Sequence, residues 1–161
     1  MMLEPGDAIP AVTLMDMEGV EFALDHYSGK PLVVYFYPKA DTPGCTNEAK
    51  DFTALADEYA AAGVPVIGIS RDKPAKLKKF SEKYGLSVIL ASDEPGDACA
   101  AFGTWVEKSL YGRTYMGIER ATFLFGAQGK VQRIWRKVKV KGHAAEVLEA
   151  ASPFDPSRAY R

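Results

Sequence analysis

Leu32 to Tyr37 reads Leu-Val-Val-Tyr-Phe-Tyr, an apolar and aromatic run with no charged or amide side chain to break it. A strand with one face in water alternates apolar and polar positions, whereas a short unbroken run suits a strand covered on both faces. Such a strand needs a layer of other structure on each side, and the chain supplies helices for it. From Pro43 to Ala62 the residues Phe52, Leu55, Ala56 and Tyr59 recur at helical spacing, so this stretch reads as one amphipathic helix that Gly63 stops. Val64 to Ile69 follows as a second buried strand, Pro74 to Tyr84 as a helix with Leu77, Phe80 and Tyr84 on one face, and Val88 to Leu90 as a third strand.

The pattern extends in both directions. Val12 to Leu14 and Val20 to Phe22 flank Asp16-Met17-Glu18-Gly19 as a short hairpin. Pro95 stands where a further helix begins and Gly103 where it ends, with Cys99 and Phe102 on one side of it. Lys108 to Gly117 is Gly-rich and Tyr-rich and receives no element. Ala121 to Phe125 and Val131 to Trp135 form an antiparallel pair around Gln128-Gly129, and His143 to Ala151 makes a last short helix. The expected fold is three-layer α/β/α of thioredoxin type, with a mixed central sheet and an N-terminal β-hairpin. At 161 residues this is one domain, taken as residues 1–151, with a tail from Ser152 to Arg161.

Composition removes several function classes. Twenty Lys plus Arg stand against 21 Asp plus Glu, a net charge of −1, so no bulk positive field gathers nucleic acid or anionic membrane. The lysines from Lys73 to Lys83 share a helix with an apolar stripe and read as its solvated face. Lys137, Lys139 and Lys141 alternate with Val138 and Val140 as lysines guarding an exposed edge strand would. The longest apolar stretch, Ala60 to Ile69, is about half the ~18 residues of a membrane span. Met1 to Pro10 carries Glu4 and Asp7 but no cation, the wrong charge for a secretory signal, which points to the cytoplasm. His26 and His143 have no partner at metal-ligand spacing, and the glycines make no dinucleotide fingerprint or P-loop, so neither metal nor cofactor is expected.

Chemistry concentrates on Pro38-Lys39-Ala40-Asp41-Thr42-Pro43-Gly44-Cys45, which leaves the end of a buried strand and enters a helix, where ligand crevices of open α/β sheets lie. Thr42 is a good N-cap and Pro43 a good first helical residue, which puts Cys45 third in the helix. Its sulfur there faces backbone N–H groups without helical partners, and these favour thiolate over thiol. A lone intracellular cysteine is ordinarily a small packing residue; strand end, cap, proline and Gly44 together argue for a reactive one. The Thr42 hydroxyl serves as a plain cap or as partner to a substrate oxygen.

These residues resemble the peroxiredoxins, whose P-x-x-x-T-x-x-C pattern is met by Pro38, Thr42 and Cys45. Tyr35 to Ala49 is similar to the peroxiredoxin Q, or bacterioferritin comigratory, branch of that family, as are Gly68 to Phe80, Leu90 to Gly103 and Glu107 to Phe125. The resemblance implies a thiol peroxidase that reduces hydrogen peroxide and organic hydroperoxides through a cysteine sulfenic acid. In it Cys45 is the peroxidatic nucleophile, Thr42 hydrogen-bonds the peroxide, Pro38 shields the pocket and Arg120 is the active-site arginine. It also implies a monomer or weak homodimer. Physically, one peroxide oxygen is attacked while the other leaves with negative charge, so donors must surround it: the N–H groups of Gly44 and Cys45, the Thr42 hydroxyl and the Arg120 guanidinium. Glu119 either orients Arg120 or is solvated.

Many members of that branch place a resolving cysteine five residues after the nucleophile, where this chain has Lys50. Cys99 is the only other thiol, and its helix, with Phe102 beside it and Asp93, Glu94 and Asp97 nearby, favours packing over a resolving role. A one-cysteine mechanism is therefore expected, with thioredoxin, glutaredoxin or a small thiol as reductant. Two other classes remain as rivals. A thioredoxin-like disulfide exchanger is disfavoured because Cys45 begins no C-x-x-C, and a non-enzymatic redox-sensing module would oxidise once and stop.

Overall fold

A computed structural model describes residues 3–152, so the expected tail lies, beyond Ser152, outside the described residues. Among the described residues nine strands and five α-helices follow one another, with a short 3-10 turn at Leu24–Tyr27: β1 (Thr13–Met15), β2 (Glu21–Ala23), β3 (Leu32–Phe36), α1 (Pro43–Ala54), α2 (Ala56–Ala61), β4 (Val66–Ser70), α3 (Pro74–Tyr84), β5 (Ile89–Ser92), α4 (Asp97–Phe102), β6 (Trp105–Leu110), β7 (Arg113–Ile118), β8 (Ala121–Phe125), β9 (Val131–Trp135) and α5 (His143–Ala151). A seven-stranded sheet has the order β2-β1-β5-β4-β3-β8-β9. β3, β4 and β5 run parallel, and the flanking strands are antiparallel, so the sheet is mixed with the N-terminal hairpin at one edge. This is the thioredoxin-like α/β architecture.

β3 is buried along its whole length, as its unbroken apolar run requires. Its alternate residues feed two cores. Val33, Tyr35 and Tyr37 pack with α1, α3 and α5 through Phe52, Phe80 and Val147. Val34 and Phe36 pack on the other face with Ala98, Cys99 and Phe102 of α4. Two consecutive right-handed crossovers in one direction along a parallel sheet put both helices on the same face, as α1 and α3 are here.

Several expected boundaries shift. The helix from Pro43 to Ala62 is two helices, broken at Leu55, whose backbone leaves the helical region. The three-and-four spacing runs unchanged across the break, so periodicity could not register it. Pro95 is not the first residue of α4. It lies in a turn closed by Gly96 N–H on the Asp93 carbonyl, and the buried Asp93 carboxylate accepts the N–H groups of Ala98 and Cys99 at 3.0 and 2.8 Å. The stretch left without an element forms most of a separate two-stranded ribbon, β6–β7, whose turn residues Tyr111 and Gly112 both have positive φ. A tyrosine at a position that favours Asn or Gly hides such a turn. Lys137, Lys139 and Lys141 lie in no strand: β9 ends at Trp135, and Lys137, at φ 48°, turns the chain away. Among the described residues no helix is long and apolar enough to cross a membrane.

Candidate active site

α1 begins as its sequence dictates, with Thr42 in extended conformation at the N-cap, Pro43 first and Cys45 third. The first helical N–H with a backbone acceptor is that of Thr46, which donates to the Thr42 carbonyl at 2.8 Å. Those of Gly44 and Cys45 have no protein acceptor among the described residues, so two donors stand free at the positive helix end that carries the thiol. Cys45 is only 2% exposed. The Thr42 hydroxyl does not cap the helix; it donates to the Lys39 carbonyl at 2.7 Å.

Arg120 sits in the two-residue link between β7 and β8, more than seventy residues from Cys45, and donates to the Cys45 sulfur through Nη2 at 3.4 Å. Its Nη1 donates to Glu48 Oε1 at 2.7 Å. Gly44 makes this approach possible, since a Cβ there would stand 3.2 Å from Arg120 Nη2. Pro38 lies in the same loop, on the wall of an adjoining cleft. Pro38, Thr42, Gly44, Cys45 and Arg120 are thus brought to one end of the sheet, beyond the carboxyl end of β3.

Glu48 was not among the expected site residues. It carried a signal: it falls three residues after Cys45 and one before Ala49, so a carboxylate interrupts a stripe that is otherwise buried. Burial pushes its carboxyl up to about 7, while the charge and hydrogen bond of Arg120 pull the other way. Burial likewise opposes the charge on Arg120, but Glu48 and Cys45 outweigh it and hold the guanidinium firmly protonated. Glu119 does not orient Arg120. Its carboxylate takes Arg136 at 3.5 Å and the Lys137 N–H at 3.4 Å.

The loop that carries Thr42 is fastened at two points. The Ala40 N–H donates to Asp72 at 2.8 Å, and Asp72 also accepts the Ser70 hydroxyl at 2.7 Å. Asp41, at φ 61°, accepts Tyr84 Oη at 2.6 Å and Lys83 Nζ at 2.9 Å from the end of α3. Lys50, five residues after Cys45, lies over the Tyr84 ring at 5.9 Å.

Cys99 is fully buried in the core on the other face of the sheet from Cys45. Burial first, then the hydrogen bond and charge of Asp93, push its thiol up to about 12. Among the described residues no three His, Cys, Asp or Glu side chains converge to hold a metal.

A thioredoxin-like sheet with a cysteine in the first turn after its central strand and an arginine on the sulfur defines a class of thiol-based redox enzymes. The chain matches the AhpC/TSA family over residues 5–134 and belongs to it. Within that family it is a peroxiredoxin of the Q or Bcp kind. It is 45% identical over 146 residues to peroxiredoxin Bcp of Escherichia coli (strain K12), covering 91% of this chain and 94% of that one. It is 44% identical over 148 residues to a putative peroxiredoxin bcp of Coxiella burnetii, covering 92% and 98%. A solved structure of Xanthomonas campestris bacterioferritin comigratory protein, described for its alkyl peroxide reduction activity, superposes with a TM-score of 0.85 at 44% identity, covering 92% of this chain and 95% of that one.

Proposed function

We propose that this peroxiredoxin reduces hydrogen peroxide and organic hydroperoxides in the cytoplasm, as a single domain over residues 1–151 and a monomer or weak dimer, by a one-cysteine mechanism. The carrying observation is the 3.4 Å contact of Arg120 on Cys45 at a helix start with two unpaired N–H donors. The alkyl peroxide activity described for the Xanthomonas protein supports organic hydroperoxides as substrates.

In this reading the Cys45 thiolate attacks one peroxide oxygen. The S–O bond forms as the O–O bond breaks, the sulfur loses two electrons to the peroxide, and the departing oxygen leaves as hydroxide or alkoxide and takes a proton. Arg120 and the N–H groups of Gly44 and Cys45 stabilise that developing charge. Thr42 acts differently from the expected donor. Its proton is committed to Lys39, so its lone pairs are free to accept the peroxide O–H and aim the O–O bond along the sulfur's line of attack. Pro38 keeps bulk water from the loop side. Glu48 is a positioning residue that holds the guanidinium on the sulfur.

The sulfenic acid then awaits an external thiol, from thioredoxin, glutaredoxin or a small molecule. The sheet between the two cysteines supports this: a disulfide needs Cα atoms within ~7 Å, and Cys45 and Cys99 belong to cores on its opposite faces. The test is steady peroxide consumption with excess dithiothreitol. Sustained turnover lost in folded Cys45→Ser is expected; stoichiometric oxidation that stops indicates a sensor, and dithiol–disulfide exchange without peroxide consumption indicates an exchanger.

A further inference from the structure

A cleft of about 590 Å³ borders the loop that leads into α1, walled by Pro38 and Lys39 on one side and by Trp105, Lys108 and Met116 of the β6–β7 ribbon on the other. That size lies within the ~300–1,000 Å³ of small-ligand sites. Its charged groups are Lys39, Arg71 and Lys108 against Asp72 and Glu94. Asp72 is already engaged by Lys76 at 3.3 Å and by the Ala40 N–H, which leaves the cleft with a positive excess.

Lys108 is the distinctive member. It is half-buried and has no carboxylate partner among the described residues. Its stem lies across Gly117, where a Cβ would stand 3.3 Å from Lys108 Cδ and 3.4 Å from the Tyr115 ring, so glycine makes the room for it. Burial, then Arg120, hold its ammonium below the ordinary lysine range, and Cys45 and Glu119 oppose them. Peroxide reduction converts the Cys45 thiolate to a neutral sulfenic acid, and the charge leaves with the alcohol oxygen. The site beyond the cleft's Pro38 wall thus loses one negative charge at the stage when a thiol must enter.

We propose that this cleft admits a low-molecular-weight thiol bearing carboxylates, with Lys108 pairing with a carboxylate and Trp105 and Met116 packing on the carbon skeleton. The proposal rests on the peroxidase reading of Cys45. A thiol that is 2% exposed suits a small reductant better than the surface thiol of a protein. The reductant's thiolate attacks the Cys45 sulfur, the S–O bond breaks, and hydroxide leaves protonated as water. A second thiolate attacks the reductant's sulfur in the mixed disulfide, which releases the free disulfide and restores the Cys45 thiolate.

The test compares glutathione with glutathione diethyl ester, whose carboxylates are masked, as reductants for hydrogen peroxide turnover by the full chain. The ratio of kcat/KM for acid over ester is read, so changes in Cys45 reactivity common to both cancel. The wild type should favour the acid, less so in 0.5 M salt as screening predicts. Lys108→Met should lower the ratio by about 10-fold, and Lys108→Arg should keep it. An equal ratio in wild type and Lys108→Met, or turnover with dithiothreitol but none with glutathione, overturns the cleft assignment alone. No turnover with any thiol overturns the peroxidase reading beneath it.

Discussion

One guanidinium holds the reacting sulfur and a buried carboxylate together, and the consequences at single residues follow from that bridge. Arg120→Met keeps part of the apolar stem and loses the charge. Peroxide reactivity should fall at least ~10-fold, ~1.4 kcal/mol of barrier, and alkylation of Cys45 by iodoacetamide at pH 7 should slow alongside it. Unchanged rates would leave Arg120 a structural cation. Gly44→Ala places a Cβ 3.2 Å from Nη2 without altering any charge. Since a 1 Å misplacement can cost ~10²-fold, a shift of a few tenths of an ångström should cost a few-fold in peroxide turnover with the melting temperature nearly kept. Glu48 makes a pH statement. Its folded value of about 7 lies above the ordinary glutamate value of 4.5, so the folded protein binds the extra proton between those limits. This contribution to stability is full below about 4.5 and is lost as pH rises through about 7. Melting temperatures of wild type and Glu48→Gln across pH 5 to 8 should therefore shift against the wild type as pH rises; a pH-independent difference would show that Glu48 stays ionised throughout. Glu48 was legible only as an anomaly. Its position on the buried stripe of α1 was visible, but its partner lies 72 residues away and no local pattern joins them.

Among the elements, α4 shows how a local signal is displaced by a tertiary one. Proline favours the first helical position, yet here Pro95 precedes Gly96, and the helix start is fixed by Asp93 reaching forward from the end of β5. Asp93→Ala leaves two buried N–H groups without that acceptor. The loss should be ~2 kcal/mol, read as a lower urea midpoint at unchanged slope; a midpoint equal to wild type would mean that α4 is held by Phe102 and Ala98 packing alone. The β6–β7 ribbon was the element sequence reasoning passed over. Most of its residues are exposed, so the apolar alternation that betrays half-buried strands is absent. Strands such as β8 and β9, with one or both faces in the core, were placed to the residue.

For the whole molecule, the sheet acts as a partition between two thiols. Cys45 belongs to the core under α1, and Cys99 to the core under α4, where burial and Asp93 push its thiol up to about 12. At pH 8 in the native state iodoacetamide should label one thiol, and both in denaturant. One equivalent of peroxide without reductant should add one oxygen to the intact mass. Loss of two hydrogens instead, traced to a Cys45–Cys99 bond, would mean that the partition opens during turnover.

The sequence by itself determined the layered α/β plan, because an unbroken apolar strand can be stable only between two covered faces, and it determined the helix start that carries Cys45, because Thr, Pro and Gly act through the backbone of their immediate neighbours. It named Arg120 only through resemblance. The tertiary structure alone decided which group faces which: Arg120 with Glu48 rather than Glu119, Lys108 in the cleft behind Pro38, the Thr42 hydroxyl turned to Lys39, and the two cysteines on opposite faces. Capping and periodicity are read over a turn or two of chain. Electrostatic partnership depends on distance in space, and the sheet brings residues 45, 48 and 120 together only once its strands are in register.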